Sequence, residues 1–109
     1  MNNTERFMKL ADVFGEEKLY VDGGYYRLRK VDDETFDFDY SLPDPCGSSV
    51  LHPQIRLKMQ EGELIPVQLF DTYETPVQFL RNDTPEEQEK LQTAFSSLLD
   101  KFEEVAKKS

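Results

Sequence analysis

The C-terminal quarter of the chain constrains the fold most. Leu91, Ala94, Phe95, Leu98, Phe102 and Val105 recur at spacings of three and four, and Leu99 widens the stripe. Such spacing places them on one face of an α-helix. Thr84 has the side chain of an N-cap, Pro85 suits the first helical position, and Glu87 completes a capping box. Glu86, Glu87 and Glu89 lie at the positive end of the helix dipole, with Lys107 and Lys108 at the negative end. At 1.5 Å per residue, a helix from Pro85 to Ala106 runs about 33 Å. A helix that long, apolar along one side only, needs a broad apolar surface, and a sheet face provides one.

The middle of the chain supplies the sheet. Phe36, Phe38 and Tyr40 alternate with Asp37 and Asp39, the period of a half-buried strand. With Asp32-Asp33-Glu34 as a three-residue loop, Leu28 pairs with Phe38 and Tyr26 with Tyr40. Arg29 then faces Asp37 and Arg27 faces Asp39. A slip of one residue would set charge against aromatic rings, so the apolar and polar faces choose the same register.

Two further hairpins are expected. Leu19-Tyr20-Val21 turns through Gly23-Gly24, pairing Val21 with Tyr26 and Leu19 with Leu28. Ile55, Leu57 and Met59 alternate with Arg56 and Lys58, turn at Glu61-Gly62-Glu63 and meet Ile65, Val67 and Leu69. In that register Pro66 points away from the apolar face. Because proline cannot donate a ladder bond, its strand should lie at an edge or carry a bulge. Ser41 to Pro53, dense in Pro, Gly and Ser, reads as a loop, and Thr75 to Leu80 as a further short strand. Phe7, Leu10, Ala11 and Phe14 give an N-terminal helix over about Thr4 to Phe14, stopped at Gly15.

The expected fold is a single α+β domain over residues 1–109. An N-terminal helix precedes a mostly antiparallel sheet of four to six strands built from β-hairpins, and a long C-terminal helix packs on one sheet face. The 109 residues include 8 Phe and 5 Tyr, enough to build a core without metals or disulfides. No apolar run reaches the length a membrane helix needs, and the first residues lack the pattern of a signal peptide. Cys46 is the only cysteine, so no internal disulfide forms. These features predict a cytoplasmic protein with no membrane partner.

Charge is uneven. The chain carries −9, and residues 32–83 hold 11 acidic and 3 basic side chains, a net of −8. That excludes direct binding of nucleic acid, which needs the opposite sign. Tyr20, Tyr25, Tyr26, Arg27 and Arg29 superficially resemble a base-stacking sheet face, but Tyr26 shares its face with Leu28 and reads as core.

Residues able to carry chemistry are sparse. Cys46 and His52 share one loop, and an imidazole beside a thiol is the arrangement that makes a thiolate nucleophile. They are the candidates if the chain is catalytic. Asp37 and Asp39 could ligate a divalent cation with Asp32, Asp33 or Glu34, but the cross-strand arginines account for both, and no metal or cofactor is predicted. Phosphate loops, paired cysteines, nucleophile elbows and zinc-protease patterns are all missing from the sequence.

These observations favour a small, acidic, non-enzymatic interaction or regulatory protein, of the kind bacteria, phages and mobile elements make. It would bind a basic protein surface through Asp32, Asp33, Glu34, Asp44, Glu61, Glu63 and Glu74. The alternatives are a nucleic-acid mimic that inhibits a DNA- or RNA-processing enzyme, and a small enzyme or ligand-binding domain using the Cys46–His52 loop. Homodimerisation through the C-terminal helix is a further expectation, because the stripe is wider than one sheet face needs.

Overall fold

The computed structural model describes residues 2–44, 49–73 and 76–108. Helix α1 (Asn3–Leu10) leads into β1 (Leu19–Val21), β2 (Gly24–Lys30), β3 (Thr35–Pro43), β4 (Ser49–Gln60), β5 (Glu63–Asp71) and β6 (Gln78–Arg81), and helix α2 (Pro85–Lys108) closes the chain. The six strands form one antiparallel sheet in sequence order, a meander with β1 and β6 at its edges. Both helices pack on the same face, as the sequence predicts.

The α2 stripe is buried along its whole length, with Leu91, Phe95, Leu99 and Phe102 fully enclosed. Phe102 lies at the centre of the core, its ring centroid 4.2 Å from that of Phe38, 4.8 Å from Phe14 and 5.0 Å from Tyr26. Phe7 of α1 packs edge-on against Phe38 at 5.2 Å. Thr84 Oγ1 accepts from the Glu87 backbone N–H at 3.1 Å. The Glu87 carboxylate accepts from the Arg81 backbone N–H at 3.0 Å, which ties the end of β6 to the start of the helix.

The β2–β3 hairpin has the predicted register throughout, including Arg27↔Asp39 and Arg29↔Asp37. Elsewhere the structure corrects the expectation. The first turn is Asp22-Gly23, not Gly23-Gly24, so Leu19 pairs with Tyr26. Asp22 (φ 51°) and Gly23 (φ 89°) both adopt left-handed conformations, as a type I′ turn requires. Gly24 belongs to β2, where Tyr40 lies directly over its Cα.

The β4–β5 turn is likewise two residues, Glu61 (φ 51°) and Gly62 (φ 81°). Met59 therefore pairs with Leu64 and Leu57 with Pro66, and a bulge at Val67 restores the predicted Ile55↔Leu69. The bulge was expected, but Pro66 points into the core and is fully buried. Helix α1 ends four residues early. Asn2 caps it, its Oδ1 accepting from Glu5 N at 2.9 Å, and Phe14 reaches the core from a following turn. Ser41 to Pro53 is mostly strand: β3 continues to Pro43 and β4 begins at Ser49. Pro53 is tolerated there because it lies where the β3–β4 register shifts, opposite Tyr40.

A Cβ on Gly24 would sit 2.6 Å from the Tyr40 hydroxyl oxygen, whereas one on Gly15 would meet nothing within 4 Å. Tyr40 cannot easily retreat, since Tyr26 is stacked at 5.0 Å and the Lys101 ammonium lies 4.3 Å above its ring. Gly24→Ala should therefore destabilise the domain by about 1–3 kcal/mol in urea unfolding. Gly15→Ala should change it by under about 0.5 kcal/mol.

Candidate functional site

The meander sorts the acidic residues by end. The β2–β3 and β4–β5 turns fall at one end of the sheet, and the Met59 N–H donates to the Glu34 carbonyl across them at 2.7 Å. Asp32, Asp33, Glu34, Glu61 and Glu63, separated by up to 31 positions, thereby form one rim. The first turn of α2, with Glu86 and Glu87, begins at this same end. Asp32 serves the turn itself: its Oδ1 accepts from Glu34 N at 2.9 Å, and bonds from Glu34 and Thr35 hold its carboxyl below the usual range. Asp33, Glu34, Glu61 and Glu63 are exposed, and Lys30 and Lys58 lie on the adjoining strand ends. Asp44 lies at the opposite end of the sheet, away from this set. Glu74 and Cys46 lie outside the described residues.

The helix-free face buries its acidic residues. Asp37 and Asp39 are 0% and 1% exposed, covered by arginines from the strands on either side. Asp37 accepts from Arg29 Nη2 at 2.8 Å and from Arg56 Nε and Nη2 at 2.9 and 3.1 Å. Asp39 accepts from Arg27 Nε and Nη2 at 3.1 and 2.8 Å. Burial pushes the Asp37 carboxyl up, but the hydrogen bonds and charges of Arg56 and Arg29 outweigh it and hold the group below its usual value. Among the described residues, Asp39 Oδ1 and Ser41 Oγ, neighbours on this face, are buried without a partner. Among the same residues no three His, Cys, Asp or Glu side chains are grouped as metal ligands.

His52 is on the other face, under α2. Its Nδ1 lies 2.9 Å from Asp71 Oδ2, and the other Asp71 oxygen accepts from Tyr73 N at 3.0 Å. The Tyr73 ring stacks on the imidazole at 4.4 Å. Carboxylate and ring together fix the imidazole's orientation. The ring borders a cleft of about 460 Å³ between the sheet and α2, lined also by Pro53, Leu98, Ser97 and Lys101. Asp71 was invisible as a partner in the sequence because His52 fell in the segment read as a loop, whereas it lies on β4.

No protein-family model, curated protein or solved structure matches the chain.

Asp37→Asn removes one charge while leaving Arg29 and Arg56 in place. Because both arginines are partly exposed, the expected loss is about 1–3 kcal/mol at neutral pH rather than that of a fully enclosed pair. A carboxyl whose pKa is lower in the folded than in the unfolded chain stabilises above the unfolded value, about 3.9. The difference between the two proteins in thermal unfolding should therefore hold down to about pH 4 and close as the pH falls further.

Proposed function

We propose that this chain is a non-enzymatic cytoplasmic interaction protein whose acidic rim engages a basic surface on a protein partner. The observation that carries this reading is the convergence of Asp33, Glu34, Glu61 and Glu63, from two separate turns, into one exposed set at the end of the sheet. Carboxylates so placed attract a basic patch over distances of about a Debye length and select against acidic partners. The mimicry alternative is weaker, because it needs free carboxylates spaced over a face, whereas Asp37 and Asp39 are each bonded to arginine. A D33N/E34Q/E61Q/E63Q variant, compared with the wild type as bait in cell lysate, should lose the partners that roughly 0.5 M salt also releases. Capture of the same proteins by both baits would remove the rim from consideration.

One observation favours a second reading, a ligand-binding or catalytic role for the His52 loop: the imidazole is held by Asp71 at the mouth of a cleft. If His52 activates Cys46, iodoacetamide should alkylate Cys46 at least about tenfold faster in the wild type than in His52→Gln at pH 7. Equal rates would leave His52 a structural residue.

A further inference from the structure

The outer edge of β6 combines a short strand carrying an exposed apolar residue with a charged trough. β6 has 4 residues, and among the described residues no strand lies beyond it. Sheet edges are ordinarily guarded by charge, proline, bulges or shortness; short as it is, β6 still presents Phe79, which is 43% exposed, beside the more open Val77. On the helix-free side, Phe79 packs against Phe70 with ring centroids 5.6 Å apart. The one charge on the strand, Arg81, has its guanidinium 5.1 Å above the Phe79 ring.

On the other side of the strand, two hollows of about 520 and 460 Å³ share Leu69, Gln78 and Ala94, making one trough between β6 and α2. Its floor is apolar, from Leu69, Leu80 and Leu98, and α2 supplies its charged wall. Asp100 is bonded to Arg6, Asp71 to His52, and Lys101 rests on the Tyr40 ring. Among the described residues, Glu86, Glu89 and Glu104 then line the trough with Lys90 and Lys101 as its lysines.

We infer that β6 receives an extended, lysine-rich segment of a partner protein as an added strand. The inference rests on the reading that the partner is basic, and it names a surface distinct from the rim. In an added strand, side chains alternate between the two faces. Alternate lysines would lay their methylenes over Leu80 and Leu69 and bring their ammonium groups to Glu86, Glu89 and Glu104. The intervening apolar residues would cover Phe79 and Phe70. A second copy of this chain suits the edge poorly. Each copy carries −9, and pairing would set the glutamates of two α2 helices beside one edge-to-edge seam.

The test is a titration of the ¹⁵N-labelled full chain with an acetylated, amidated peptide alternating Lys and Val, about seven residues long, and with its Glu–Val twin. The Lys peptide should shift the amides of residues 77–81 and of the α2 wall, and slow hydrogen exchange at Phe79 by about tenfold or more. The Glu twin should shift neither. E86K/E89K, on exposed helix positions, should weaken the Lys peptide by about tenfold or more, while D33N/E34Q/E61Q/E63Q leaves it within about twofold. Shifts confined to the rim would overturn strand addition and leave the basic-partner reading standing. Equal binding of both peptides, or none at about millimolar concentration, would overturn the inference. Dimers in sedimentation that occlude β6 without peptide would assign the edge to a second copy instead.

Discussion

Asp37 is fully buried on a sheet face that no helix covers, held there by Arg29 from one neighbouring strand and Arg56 from the other. A buried carboxylate left without its cations costs several kcal/mol, so any register of β2, β3 and β4 that separates these three residues is strongly disfavoured. The alternation of Phe36, Asp37, Phe38, Asp39 and Tyr40 then works from both sides. Slipping β3 by one residue would bring carboxylates under α2 and phenyl rings among guanidinium groups. Fixing this register sets Phe38 beneath Phe7 and Phe102 and places Tyr26 beside Tyr40. The aromatic core therefore depends on an ionic arrangement on the opposite side of the sheet.

The same arrangement redistributes the charge. Asp37 and Asp39 count towards the −8 of residues 32–83, yet both are enclosed by arginines. What remains exposed sits in the turns and on α2. A strand face that looks acidic in the sequence is thus electrically closed, and recognition by charge falls to the ends and edges of the sheet. The helix pair shows a related economy: Arg6 joins α1 to Glu103 and Asp100 of α2, and bonding to Glu103 first of all raises the Arg6 pKa further.

How much was legible in the sequence follows from where local chemistry decides. The α2 stripe and its Thr84–Glu87 cap are local patterns, and the helix forms as read. The β2–β3 register was legible because apolar and ionic pairings agree on it. The first and last hairpins were misread by one turn type. Asp22 and Glu61 adopt positive φ, which is uncommon outside glycine, so the adjacent glycines of Gly23-Gly24 drew the turn one residue too far. Once the β4–β5 turn shortens by a residue, a bulge must restore parity before Leu69, and this turns Pro66 inward while Leu69 and Asp71 keep the face the alternation gave them. The His52–Asp71 pair was hidden because Ser41 to Pro53 read as a loop, whereas His52 lies on β4. The rim was legible as composition, while its convergence into one set depends on a strictly antiparallel meander.

With one sheet face beneath the helices and the centre of the other closed by arginine–aspartate pairs, the free surfaces meet at one corner. There the Glu87 carboxylate receives the Arg81 N–H, fixing the last strand to the first turn of α2. The joint holds Glu86 and Glu89 over the trough and sets the start of α2 at the rim end of the sheet. A strand entering along β6 from that end would pass the rim before reaching the apolar floor at Leu80 and Leu69. Long-range attraction would act first and edge pairing second, the order in which charge steers an encounter and backbone hydrogen bonds then hold it. On the proposed reading, rim and edge would serve one basic partner in two stages, arranged in space by a single helix cap.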